Sequence, residues 1–165
     1  MSTTATPSDT ARQELAGFAG QLIGPGDAEY DEARALFNAM IDKRPALIAR
    51  CANPQDVASA IGFARAHDLP LAICGGGHNG GGLGSVDDGV VADLSLLKDI
   101  SVDPAARTVR VGGGALWREV DAATHEHGLA VPCGIISSTV SPQRRVRWPM
   151  PPPRVSPATS PGAVG

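Results

Sequence analysis

The chain is short of several of the features on which common functions rest. Cysteine is scarce and poorly spaced: Cys51, Cys74 and Cys133 are the only three, and no Cys-x-x-Cys pair occurs. A redox dithiol or a thiolate metal site is therefore not expected, and the thiols read as reduced ones in a reducing compartment. Long apolar runs are missing too. None approaches the roughly 20 residues that a membrane-crossing helix needs. An excess of positive charge is also lacking, since the net charge is −3, so nothing offers nucleic acid the basic face that its phosphates require. Residues Met1–Thr10 are small and polar, without the basic and apolar regions of a secretory signal. The expectation is a cytoplasmic protein with neither membrane nor nucleic acid as partner.

Glycine and proline are plentiful, at 20 and 14 of 165 residues, and 42% of the chain is hydrophobic. Residues 1–20 read as a leader, disordered up to Ala11, with a short helix over Ala11–Ala19. Gln21–Gly26 reads as extended, and Tyr30–Met40 has a mixed pattern that fixes no element. Pro45–Cys51 reads as a buried strand. Asn53 suits a helix N-cap, Pro54 the first helical position and Asp56 the first turn, where the helix dipole favours an acid. Val57, Ile61 and Ala64 then follow at helical spacing to about His67. Leu69–Ile73 reads as the next strand, which gives a βαβ unit with parallel strands. Gly89–Leu94 reads as a strand. Ile100–Asp103 and Thr108–Val111 read as a hairpin about Pro104–Arg107. Leu116, Val120 and Ala123 mark one face of a helix that Gly128 closes, and Leu129–Val131 restarts extended structure.

The most unusual segment is Gly75–Gly84, in which seven of ten residues are glycine. Few Cβ atoms stand in the way there, so several backbone N–H groups can converge on an anion. Gly75-x-Gly77-x-x-Gly80 matches the spacing of the dinucleotide fingerprint. That motif must open a helix, however, and a strand comes next here. No Gly-Lys-Ser/Thr follows, so the segment is not a P-loop. A ligand-free surface loop would have the same composition. The distinguishing residue is His78, an imidazole set inside the glycine run just after a strand.

These stretches together resemble a known family. Arg44-Pro45-Ala46-Leu47-Ile48, Asn53–Val57, Gly75–Asn79, Asp93-Leu94-Ser95, Val111–Trp117 and Gly128–Pro132 stand in the order found in FAD-binding domains of the vanillyl-alcohol oxidase type, nearest to the berberine-bridge-enzyme-like branch. The resemblance implies a truncated α+β fold, with the first α/β lobe and the start of a second, and a separate substrate domain in the intact relative. It implies FAD as cofactor and a small-molecule substrate. The glycine loop would wrap the pyrophosphate, with Gly75, Gly76, Gly77, Asn79, Gly80, Leu83 and Gly84 around the cofactor. His78 matches the histidine that bonds the flavin 8α-methyl in many members. Asp93, Leu94, Pro132 and Gly134 fall where the family's chain passes the cofactor. No catalytic residue is assigned, because the substrate contacts lie mainly beyond residue 139.

The sequence also departs from the family. Cys74 stands where related sequences commonly have arginine, which removes a fixed positive charge. The second, cysteinyl tether of some members falls on Ile136 rather than Cys133. After Ser137-Ser138-Thr139 the family's Gly-Val-Gly-Gly pattern gives way to Val140–Gly165, with seven prolines, four arginines and no acid. That tail reads as disordered, and its composition is what a shifted reading frame in a GC-rich gene produces. The FAD-binding unit is accordingly placed at residues 21–139, incomplete. His67, His125 and His127 read as surface or cap residues, and Trp117 as core. Two functional readings follow: an FAD-dependent oxidoreductase without its substrate domain, or a non-catalytic remnant that uses the glycine loop to bind an anion.

Overall fold

The computed structural model describes residues 5–132, 136–139 and 145–147. Its first element is helix α1, Pro7–Glu14, which overlaps the helix expected over Ala11–Ala19 but starts inside the segment expected to be disordered. The reason is local. Thr6 accepts the backbone N–H of Asp9, and the Asp9 side chain accepts that of Thr6, so two of the helix's orphan donors are satisfied reciprocally. Ala11 then buries against the sheet, and Leu15 and Phe18 beyond the helix pack on the core.

Strand β1 (Gln21–Ile23), helix α2 (Tyr30–Ala33), strand β2 (Leu47–Arg50), helix α3 (Pro54–Ala66), strand β3 (Leu71–Cys74) and strand β4 (Val90–Asp93) build the first lobe. Its sheet runs β1-β2-β4-β3. β1 lies antiparallel to β2, and β4 is parallel to both of its neighbours. The βαβ unit β2-α3-β3 is therefore present, but β4 sits between its two strands.

Alternation along the strands makes two buried faces. On one face Leu47, Ala49, Val90 and Ala92 meet Ala60, Phe63 and Ala64 of α3 and Ala11 of α1. On the other, Ile48, Val91 and Ala72 lie under Ile23 and Tyr30, whose hydroxyl donates to Pro45 O at 2.8 Å. The buried stripe of α3 is Asp56, Ala60, Phe63 and Ala64, one position away from the Val57/Ile61/Ala64 stripe read from spacing. Small alanines on both sides let the helix approach the sheet closely, and that contact selects the stripe. The predicted cap holds: Asn53 Oδ1 accepts Asp56 N–H at 2.9 Å, with Pro54 at the first turn.

The second lobe begins with the hairpin β5 (Ile100–Asp103) and β6 (Thr108–Val111), paired Ile100↔Val111 through Asp103↔Thr108 as the turn residues predict. Helix α4 (Trp117–His125) covers it, with Trp117 and Val120 packed on Val109, Val111 and Ala115. Gly128, at φ +64°, closes α4. Leu129 N–H reaches Thr124 O at 3.1 Å, the six-to-one bond of a Schellman cap. Val131 packs on the same core, although Leu129–Val131 forms no strand.

The outer edge of β6 pairs antiparallel with β7, Arg145–Arg147. The expectation of a wholly disordered tail fails at these three residues. An unpaired strand edge presents free N–H and C=O groups that recruit a further strand. The rest of that tail, together with Cys133 and Gly134, lies outside the described residues. Among the described residues no helix is long and apolar enough to cross a membrane.

Candidate functional site

Parallel neighbours cannot be joined by a tight turn; they need a crossover, usually a helix. Between β3 and β4 that crossover is residues 75–89, and it contains no helix. It leaves the C-terminal end of β3 and returns across the sheet face opposite α3, where Val86 packs beside Ala72 and Cys74. Gly75–Gly84 thus emerges at the carboxyl ends of the parallel strands, the side on which open α/β sheets bind ligands.

Each loop residue has an identifiable place. Gly77 (φ +67°) and Gly82 (φ +71°) adopt left-handed backbone that other residues avoid. A Cβ on Gly82 would also strike Ile41 at 2.6 Å. Asn79 Oδ1 accepts the N–H groups of Gly81 and Leu83, at 3.0 and 3.1 Å, and so closes a tight turn. Gly80 differs: a Cβ there would meet nothing within 4 Å. No internal contact requires glycine at that position, and the bare backbone leaves the rim open. Among the described residues the N–H groups of Gly76, His78, Asn79 and Gly80 have no internal acceptor. An open rim with free amides fits a diphosphate. Leu83 is 73% exposed beside it.

A second segment, which forms neither helix nor strand, lies along the loop. Phe37 N–H donates to Gly77 O at 3.2 Å, and Asn38 Nδ2 to Gly80 O at 3.3 Å. Lys43 Nζ donates to Gly82 O and Ser85 O, at 3.1 and 2.9 Å. Arg34 holds the segment from behind through Asp42 and Lys43 O. This strap, residues 36–43, has no periodicity because its partners are carbonyls about 40 residues away. The Phe37 ring stacks on His78, with centroids 4.7 Å apart and planes tilted by 35°. Ser85 Oγ is buried and without a hydrogen-bond partner among the described residues.

At the strand ends Asp93 stands level with both Arg50 and Cys74. Its carboxylate accepts Arg50 Nε at 3.0 Å and Ser95 N–H at 2.9 Å. Burial, and then the nearby Asp93 charge, push the Cys74 thiol up, against the pull of Gly77 N–H. Leu94 is buried, and a Cβ on Gly113 would meet its Cδ1 at 2.7 Å. Asp93 and Leu94 therefore border the loop while their side chains serve the protein. Pro132 is exposed in the second lobe. The N-terminus of α4 offers no free anion site, because Trp117 and Arg118 N–H donate to Thr139 O and Ser137 O. His67 caps α3 and meets Glu14 at 2.8 Å. His125 ends α4, His127 is exposed beyond it, and Trp117 is core.

Comparison with known proteins gives the family and the fold. Residues 45–141 match the FAD binding domain family. The chain is 34% identical over 116 residues to (R)-6-hydroxynicotine oxidase of Paenarthrobacter nicotinovorans, covering 70% of this chain and 25% of that one. It is 31% identical over 125 residues to an uncharacterized FAD-linked oxidoreductase of Bacillus subtilis, covering 76% and 28%. Among solved structures, 6-hydroxy-D-nicotine oxidase from Arthrobacter nicotinovorans superposes with a TM-score of 0.71 at 32% identity, over 74% of this chain and 27% of that one. The berberine-bridge-enzyme-like protein 1 of Physcomitrella patens gives 0.63 at 28%, over 68% and 25%. The chain thus spans about a quarter of the length of the relatives it matches.

Proposed function

Since the chain belongs to the FAD binding domain family, in the vanillyl-alcohol oxidase type of FAD-linked oxidoreductases, we propose that Gly75–Gly84 carries the FAD pyrophosphate and sets His78 against the isoalloxazine. The observation that carries this reading is the open rim at Gly80, whose neighbouring amides have no internal acceptor among the described residues. Lys43, bonded to two loop carbonyls, supplies fixed positive charge in a loop where Cys74 supplies none.

FAD supplies two-electron redox chemistry, and the protein's part is to hold, orient and tune it. His78 would supply the ring nitrogen for a bond to the flavin 8α-methyl carbon. Such a bond would cost the imidazole its N–H and the methyl one C–H, with O₂ as the two-electron oxidant. The whole protein would take a hydride from an alcohol, sugar or amine carbon of a small molecule and pass the electrons to O₂. The relatives' oxidase activities support this assignment. We place the start of the FAD-binding unit at Thr6 rather than Gln21, because α1 is packed into the first lobe.

The test is to load the purified chain with FAD and precipitate it in acid. Flavin in the pellet for the wild type, and only in the supernatant for His78→Ala, is the expected result. Covalent flavin that survives His78→Ala excludes His78 as the tether. No flavin binding by the wild type in equilibrium dialysis overturns the assignment.

A further inference from the structure

We propose that Phe37 is the positioning residue for the His78 imidazole, an inference that rests on the assignment of His78 to the flavin. The backbone around His78 offers little to confine the ring. Its neighbours include Gly77, Gly80, Gly81 and Gly82, and the imidazole makes no hydrogen bond among the described residues. The side chain stacked on it is Phe37, at 4.7 Å and 35°.

Core packing does not explain Phe37. The side chain is 74% exposed, so burial in the core does not set its position. Its backbone is nonetheless fixed. Phe37 N–H bonds Gly77 O on one side of His78, and Asn38 Nδ2 bonds Gly80 O on the other. Leu36 closes the gap at Gly77, where a Cβ would lie 3.3 Å from its Cδ2. The two rings are thus brought together by a register that brackets His78 rather than by a free side chain settling on it. A tilted aromatic pair prefers a narrow range of geometries, so the stack restricts both His78 side-chain torsions. Covering one face leaves the ring edge, which carries the nitrogens, as the reactive side. A nucleophile held this way reaches its partner in a near-attack geometry.

The test uses the full chain, isotopically labelled, with the His78 ring signals assigned by His78→Gln. In the wild type those signals carry the ring-current shift of Phe37 and the slow motion of a restrained ring. In Phe37→Leu they move to the positions and mobility of the exposed His125 and His127, and Phe37→Tyr restores them. Asn38→Ala, which removes one of the strap's bonds to the loop and leaves both rings intact, gives an intermediate result. In parallel, acid-stable flavin forms at least about tenfold more slowly in Phe37→Leu, while the dissociation constant for FAD changes by less than about threefold. A His78 ring in Phe37→Leu as ordered as in the wild type overturns the inference. So does an unchanged attachment rate in a chain that takes up FAD, and the flavin assignment then stands. If the wild type takes up no FAD while the ring signals respond as described, the flavin assignment falls and the restraint of His78 by Phe37 remains.

Discussion

The Asp56 carboxylate holds Gly20 against the end of β2. Oδ2 accepts Gly20 N–H at 3.0 Å and Ala52 N–H at 2.9 Å, and Oδ1 accepts Ala19 N–H at 3.0 Å. Asp56 is fully buried, so three backbone donors depend on a single side chain. Asp56→Ala is expected to cost about 3 kcal/mol, because charge-assisted bonds are lost and buried donors left unpaired. Urea unfolding checks this: the midpoint should fall with the slope unchanged, and an unmoved midpoint would contradict the assignment.

The thiols give a pH dependence of known sign. Burial, together with Asp56 and Asp93, pushes the Cys51 thiol from its ordinary 9.0 up to about 12. The unfolded chain releases this proton near pH 9 while the folded chain keeps it. Its contribution is therefore complete below pH 9 and is lost as pH rises towards 12, at about 1.4 kcal/mol per pH unit. Cys74 acts in the same direction. Stability measured from pH 8 to 11 should fall less steeply in Cys51→Ala than in the wild type. In the native chain Cys51 should resist thiol reagents at pH 8 until the fold is opened.

Two glycine substitutions separate binding from folding. Gly80→Ala places a methyl in open space and should leave the melting temperature unchanged while weakening FAD binding. Gly114→Ala drives a Cβ to 2.2 Å from Leu94 O and should lower the melting temperature by several degrees, consistent with roughly 1–3 kcal/mol of overpacking strain. Equal effects on stability would refute the distinction.

Lys43→Met removes both bonds to Gly82 O and Ser85 O. Loop amides over residues 82–86 should exchange with solvent faster, and FAD affinity should drop about tenfold, the effect of about 1.4 kcal/mol. Unchanged exchange would show that Lys43 does not order the loop.

The tail makes a prediction about the gene. Downstream of Thr139, one of the other two reading frames should encode a Gly-Val-Gly-Gly stretch. If neither does, the frame-shift origin proposed for residues 140–165 is wrong.

What could be read from the sequence was mostly what depends on near neighbours. Asn53-Pro54, Pro104–Arg107 and Gly128 specify a cap, a turn and a helix stop through their own dihedrals and hydrogen bonds, and the structure places them so. Thr6-Pro7-Ser8-Asp9 carries the same kind of signal for α1, a capping box inside a stretch whose small polar composition suggests a leader. The position of β4 between β2 and β3 is set by long-range pairing that no periodicity encodes. The glycine loop was visible as composition. The strap beside it was not, because Phe37, Asn38 and Lys43 are defined by partners distant in the chain. A large aromatic in an aperiodic segment just before a buried strand was the only trace of it.

The crossover between β3 and β4 contains no helix, so the candidate binding loop is also the only covalent link between two adjacent strands. Such a loop cannot swing aside as a lid without pulling on the sheet edge. Whatever it binds shares its free energy with that edge, since a ligand that prefers the folded loop stabilises everything the loop holds in register. Occupancy should therefore be readable beyond the loop itself, as slower hydrogen exchange along Leu71–Cys74. Cofactor loading then becomes a late step of folding rather than an event that follows it.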